Sequence, residues 1–207
     1  MARRRFLAAG LMVLAHALPV SAQEIGASGE PSAGLDQPPL ADMALGPANA
    51  RVTVMEYASA SGPHCAGFHI SHSGAPNAAY IKTGKIRFIL REYPHNGAGL
   101  AAFMVARCAP PESYFAYLDR FLTTQGDWLR APHHGLWAIA QGLGTDAVTF
   151  ETCLKNEKLA KAILEGRNLA RSHGTAGTPT FFINGERYTG DRTYEGLSAA
   201  IDNRPGR

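Results

Sequence analysis

The chain has little cysteine, and it has no net charge once its first residues are set aside. Only three of its 207 residues are cysteines. The formal charge is +3, but residues 1–22 hold three arginines and no acidic residue, which leaves 17 basic and 17 acidic residues. A neutral remainder gives no general argument for binding nucleic acid or an anionic membrane surface. A hydrophobic content of 45% is enough for one sizeable core, which argues against a wholly disordered chain.

A hydrophobic run long enough to span a membrane is also missing. The apolar stretch Phe6–Leu18 is shorter than the roughly 20 residues that a spanning helix needs. Arg3-Arg4-Arg5 precedes it and the small-residue motif Val20-Ser21-Ala22 follows, a pattern typical of a cleaved signal peptide over residues 1–22. We therefore expect export, with a retained anchor as the alternative. The arginines are also similar to a twin-arginine signal, so the export route stays open.

Composition and periodicity after the leader predict strand–helix–strand, a block of helices, and then strand–hairpin–strand–helix. Residues 23–41 are rich in Gly, Ser and Pro and predict a flexible linker, with order from Asp42. Apolar and β-branched runs predict strands at Arg51–Ala58, Lys85–Tyr93, Pro179–Ile183 and Arg187–Thr189. Helices are predicted at Pro63–Ser71, Leu100–Cys108, Glu112–Thr124, Leu136–Leu143, Ala147–Leu154, Leu159–Ser172 and Tyr194–Asp202, with His133 and His134 in a solvated loop.

The cysteines are Cys65, Cys108 and Cys153. An oxidising compartment allows two of them to pair, and spacing alone leaves all three pairings open. The remaining cysteine is then a free thiol or an intermolecular partner.

Three stretches carry a resemblance to the DsbA family of exported thiol–disulfide oxidoreductases. They are Met55–His69, Phe88–Pro94 and Gly177–Gly185, and the resemblance as a whole covers Asp42–Asp202. The resemblance implies an α/β thioredoxin-like fold, a central mixed β-sheet flanked by helices, with an inserted α-helical domain. It places the thioredoxin-like domain at 42–97 and 173–207 and the insertion at 98–172. It implies no cofactor. It implies unfolded or extended secreted polypeptides as partners and, if the protein is redox-active, a membrane quinone-linked thiol oxidase.

The active site departs from the family at its first position. The family motif is Cys-Pro-His-Cys, and this chain has Gly62-Pro63-His64-Cys65. The family's first cysteine lies at a helix N-terminus, where its thiolate attacks a substrate and the second cysteine resolves the mixed disulfide. Gly62 cannot attack, so we expect weak or no dithiol oxidation and at most monothiol exchange through Cys65. Since Gly and Cys codons can differ by one base, a sequence variant or error stays an alternative.

The resemblance also assigns supporting roles, each with a simpler alternative. Glu56 matches a buried acid that moves a proton for the resolving thiol, or it is a locally bonded strand carboxylate. His64 matches the histidine beside the attacking thiolate, or it is an exposed loop residue, which we favour. Thr178-Pro179 matches a cis-proline whose preceding backbone pairs with an extended substrate. Because that surface needs no sulfur, a redox-inactive peptide-binding or chaperone-like protein is the second hypothesis.

Two further expectations concern the other cysteines and metal. Some family members have a structural disulfide in the helical block, which implies Cys108–Cys153 and leaves Cys65 free. Two buried free cysteines are the alternative. Cys65, His69 and His72 lie at i, i+4 and i+7 of one predicted helix and form a weak metal hypothesis, to which His64 could contribute. Without a distant fourth ligand, we expect no metal.

Overall fold

The computed structural model describes residues 35–71 and 78–204. The predicted signal peptide and most of the predicted linker lie outside them. The described part of that linker packs on the fold, because Arg91 donates to the carbonyl of Asp36 and Arg107 donates to the carbonyl of Ala41. Contacts with the fold therefore begin before Asp42, the predicted start of order. No helix within these residues is long and apolar enough to cross a membrane.

The described residues form one five-stranded mixed sheet of order β1-β3-β2-β4-β5. The strands are β1 Met43–Leu45, β2 Val52–Ala58, β3 Ile86–Glu92, β4 Thr180–Ile183 and β5 Glu186–Arg187. Strands β2 and β3 are parallel, and the other neighbouring pairs are antiparallel. The hairpin between β4 and β5 turns at Asn184 and Gly185, whose φ angles of 52° and 85° match the tight turn that Asn-Gly predicts.

Helices cover the sheet and form a block between β3 and β4. They are α1 Pro63–Ser71, α2 Ala78–Lys82, α3 Gly97–Cys108, α4 Tyr114–Thr123, α5 Gln125–Trp128, α6 Pro132–Gly142, α7 Ala147–Leu154, α8 Glu157–Ser172 and α9 Tyr194–Asp202, with a 3₁₀ turn at Pro111–Ser113. Buried aromatic and aliphatic side chains of α3, α4, α6 and α7 join those of the sheet in one core. The domain division at 98–172 stays a prediction.

Several predicted boundaries are wrong, among them those of α6, α3 and β5. Helix α6 begins at Pro132 and contains His133 and His134, because proline suits the first turn of a helix, where its missing N–H is not needed. Helix α3 begins at Gly97, since the side chain of Asn96 accepts a hydrogen bond from the Gly99 N–H and caps it. Strand β5 is shorter than expected and lies at Glu186–Arg187.

Candidate functional site

The candidate site lies at the edge of the sheet where β2 ends. Gly62–Cys65 follow β2, and His95 follows β3, whose end lies at the same edge because the two strands are parallel. Strand β4 runs antiparallel to β2 and begins at this edge, which brings Thr178-Pro179 there as well. The topology thus gathers segments that are more than 100 residues apart in sequence.

Gly62 is buried at the start of α1, and its neighbours lie close around it. Its N–H donates to the carbonyl of Ser59, and its own carbonyl accepts from the N–H of Ala66. A Cβ at this position would lie 3.2 Å from the Ser59 Cβ, 3.3 Å from the Ser59 carbonyl oxygen and 3.4 Å from the Thr178 hydroxyl oxygen. A side chain at position 62 therefore requires these neighbours to move by a few tenths of an ångström.

Cys65 is a free cysteine and is only 1% exposed. Its thiol donates to the Thr178 hydroxyl at 3.2 Å, and its sulfur accepts from the Ser59 N–H at 3.4 Å. Burial, reinforced by the nearby Glu56 carboxylate, raises the pKa of the thiol to about 12. The sulfur at the resolving position is therefore a protonated thiol at neutral pH.

Glu56 lies on β2 and is 5% exposed. Burial raises the pKa of its carboxyl group to about 8, so most of the group is protonated at neutral pH. The side chain lines a cavity of about 110 Å³ that His69 and Asp119 also line. His69 Nε2 lies 2.9 Å from Asp119 Oδ1, so two of the residues that line this cavity are hydrogen-bonded to each other.

The Thr178–Pro179 peptide bond is cis, and the Thr178 side chain connects Cys65 to His95. The Thr178 hydroxyl accepts from the thiol and lies 2.8 Å from His95 Nε2, to which a neutral imidazole allows it to donate. Partial burial, with Arg171 and Arg167 nearby, lowers the pKa of His95 and favours that neutral form. Sequence reasoning missed His95, although its position directly after β3 was a usable signal.

An open groove adjoins Pro179. Its volume is about 440 Å³, and its walls include Pro63, His64, Gly67, Phe68, Pro179 and Arg192. Within residues 35–71 and 78–204, the backbone N–H and carbonyl of Thr178 have no hydrogen-bond partner. The unpaired backbone of Thr178 therefore directly precedes Pro179, which lines the partly apolar groove.

The remaining predicted residues lie elsewhere or have other contacts. Cys108, at the end of α3, forms a disulfide with Cys153 in α7, 45 residues later. His64 is exposed on the groove, and His69 contacts Asp119 rather than Cys65. His72 lies outside the described residues. Among those that are described, no group of three or more His, Cys, Asp or Glu side chains is arranged to hold a metal ion.

Comparisons with known proteins agree with this architecture. Residues 40–203 match the family model described as thioredoxin. The structure of alpha-DsbA1 from Wolbachia pipientis matches with a TM-score of 0.71 and 28% identity, over 78% of this chain and 89% of that one. A protein-disulfide isomerase from Novosphingobium aromaticivorans shares the fold with a TM-score of 0.68 at 22% identity, over 77% and 95% of the two chains.

Sequence relatives point the same way. A Rickettsia conorii protein, provisionally named a protein-disulfide oxidoreductase, is 32% identical over 165 residues, which are 78% of this chain and 59% of that protein. The chain thus spans about three fifths of the length of the curated relatives it matches. The fold with its helical block defines a thioredoxin-like α/β protein, as predicted. The chain belongs to the thioredoxin family, and within that family it is DsbA-like.

Proposed function

We propose that this protein is a DsbA-like family member that has lost dithiol oxidation and binds extended segments of exported polypeptides in the groove beside Pro179. The observation that carries the proposal is the burial of Cys65, the sulfur that remains at the family's active-site position. The attacking position is Gly62, which has no side chain to form a mixed disulfide.

Monothiol exchange through Cys65 is the weaker alternative. Exchange needs a thiolate that can reach a substrate disulfide. Cys65 is 1% exposed, and the pKa of its thiol is raised to about 12. Both requirements are therefore poorly met, and a redox cycle through Cys65 is at most slow.

Peptide binding requires neither a thiolate nor an exposed sulfur atom. An extended peptide that adds to exposed backbone gains main-chain hydrogen bonds, and adjacent pockets select its side chains. The unpaired N–H and carbonyl of Thr178 supply such backbone, and the groove between Pro63 and Arg192 supplies the pocket. Neither feature depends on a sulfur at position 62.

The cellular setting follows from the same proposal. The leader over residues 1–22 predicts export, where unfolded secreted polypeptides are the available ligands. A membrane quinone-linked thiol oxidase would be a partner only of a chain able to form an active-site disulfide. Cys65 has no second cysteine at position 62, so we expect no productive exchange with such an oxidase.

A groove-filling variant tests the proposal. Gly67 is exposed in α1, and a Cβ there meets nothing within 4 Å, so Gly67→Trp adds bulk to the groove without displacing the fold. Gly142→Trp, at an equally open and exposed end of α6, is the matched control. The probe is a fluorescent, cysteine-free extended peptide, with its affinity measured by anisotropy.

We expect wild type, Gly142→Trp and Cys65→Ala to bind this peptide alike, and Gly67→Trp to bind it at least about tenfold more weakly. Equal affinity in all four proteins would place the peptide elsewhere and reject the groove. Absence of binding in the wild type would reject the function.

A further inference from the structure

We propose that the groove selects extended segments that carry an acidic side chain, with Arg192 as the residue that binds the carboxylate. This inference rests on the proposed function and names the class of ligand. It comes from the charges around Pro179, none of which takes part in sulfur chemistry.

Two cavities flank Pro179, and both are positively charged. The first is the groove described above, and the second is a cavity of about 300 Å³ whose walls include Arg187, Tyr188 and Thr189. Pro179 and Arg192 line both, so the arginine stands between them. Neither cavity has an Asp or Glu among its described lining residues. A peptide carboxylate that enters either cavity therefore meets cationic groups and no like charge in the walls.

The two arginines are held in place but keep donors to spare. Arg192 donates from one terminal nitrogen to the Pro179 carbonyl at 3.2 Å, and Arg187 donates in the same way to the Gly174 carbonyl at 3.0 Å. Their other guanidinium N–H groups have no partner in the described part of the chain. A guanidinium with free adjacent donors can hold a carboxylate through two parallel hydrogen bonds. Because Arg192 is anchored to Pro179 itself, its position is tied to the backbone that an extended ligand would pair with.

Two helix ends add to the positive potential of the groove. Helix α1 begins at Pro63 and helix α9 follows its N-cap Thr193, and both of these residues line the groove. Helix N-termini favour negative charge through their unpaired N–H groups. The first turn of α1 contains no acidic residue. Near α9, Asp191 accepts from the Thr193 N–H and Glu195 lies in the first turn, but neither lines the cavities.

Two peptides that differ at one position test the preference. Both are fluorescent, cysteine-free and extended, with Glu in one and Gln in the other next to the central residue. At equal low ionic strength we expect wild type to bind the Glu peptide about fivefold more tightly, the size of a favourable exposed charge pair. Added salt should reduce that ratio, because exposed charges are screened.

Arg192→Gln should reduce the ratio to about one, because it removes the charge and keeps a polar side chain. Arg51→Gln is the matched control, since Arg51 is exposed and precedes β2 at its other end, about 23 Å from the site along that strand. It should keep the wild-type ratio.

Each other outcome overturns a defined part of the argument. Equal binding of the two peptides by wild type, with Gly67→Trp still blocking both, would reject the acidic preference and leave the proposed function standing. If the Arg192→Gln variant still binds the Glu peptide more tightly than the Gln peptide, Arg192 is not the residue that binds the carboxylate. Failure of wild type to bind either peptide would reject both proposals.

Discussion

The two places where the structure contains cysteine differ in what the sulfur does. In the helical block Cys108 and Cys153 are joined, and their bond closes a loop between α3 and α7. At the sheet edge Cys65 is alone, buried and protonated. In the first environment the sulfur atoms are bonded to each other and link two helices, while in the second the sulfur atom is a thiol packed in the core. Under the proposed function, the sulfur of Cys65 contributes packing and no exchange chemistry.

The residues at this edge of the sheet also fall into two groups, one packed and one lining a groove. Gly62 and Cys65 are tightly packed, whereas Pro179 and Arg192 line an open groove. The proposed ligand contacts and the family's sulfur chemistry would thus be made by different atoms at this edge, so that loss of the one need not remove the other. Four changes or measurements test this division.

Alkylation of Cys65 should show the largest effect. A rise in thiol pKa from 9.0 to about 12 reduces the thiolate at neutral pH by about a thousandfold, and burial slows access further. We expect iodoacetamide to modify one thiol per chain only after denaturation, with native labelling at least about a thousandfold slower by intact mass. Native labelling at the unfolded rate would instead make Cys65 an available thiol and revive monothiol exchange.

Removal of the disulfide should have the next largest effect, which is a loss of unfolding free energy. Its loop of 45 residues corresponds to about 4 kcal/mol of unfolded-state entropy. Cys108→Ser combined with Cys153→Ser should lower the free energy of unfolding in urea by that amount. Cys65→Ala, which removes a sulfur that closes no loop, should cost about 1 kcal/mol. A similar loss of unfolding free energy in the double variant and in Cys65→Ala would mean that the disulfide contributes no more to stability than the free thiol does.

Glu56 should make stability depend on pH. Its pKa rises from 4.5 to about 8 on folding, so the stabilisation is complete below pH 4.5 and is lost as the pH rises through 8. Between pH 4.5 and 7 this amounts to about 3 kcal/mol. Glu56→Gln should remove the decline in unfolding free energy over this range.

The exposed Glu165→Gln, which alters only a surface pair with Lys161, should keep that decline and serves as the control. A wild-type curve that is flat over this range would mean that the Glu56 carboxyl group ionises in the folded protein as readily as in the unfolded chain.

Gly62→Cys should restore part of the exchange chemistry. The helix N-terminus at Pro63 would favour a thiolate at position 62, with Cys65 available to resolve the mixed disulfide. We expect oxidation of a dithiol peptide to rise by about two orders of magnitude over a wild type near background. Gly62→Ser has the same shape without the sulfur and should stay at background. Multiple turnover by the wild type would contradict the argument from the missing nucleophile.

Much of the fold was predictable because its signals are local. β-Branched and apolar runs predicted β2, β3 and β4, and Asn184-Gly185 predicted the hairpin. Strand β1 was missed because Met43–Leu45 is very short and becomes a strand only by pairing with β3. Helix α2 was also missed, because its five residues are too few to show a periodic pattern.

The site was predictable only where a motif marks it. Gly62–Cys65 and Thr178-Pro179 stand out as short sequence patterns. His95 and Arg192 do not, because their relevance comes from the sheet topology and from the contacts to Thr178 and Pro179. The burial of Cys65 was equally invisible, since exposure depends on side chains that lie far away in sequence.

The disulfide between α3 and α7 also determines how the chain matures. Two thiols become a disulfide only by passing two electrons and two protons to an acceptor. The chain has no cysteine pair left over to begin that transfer, because Cys108 and Cys153 are the thiols to be oxidised and Cys65 is solitary. Its own biogenesis therefore requires an outside oxidant.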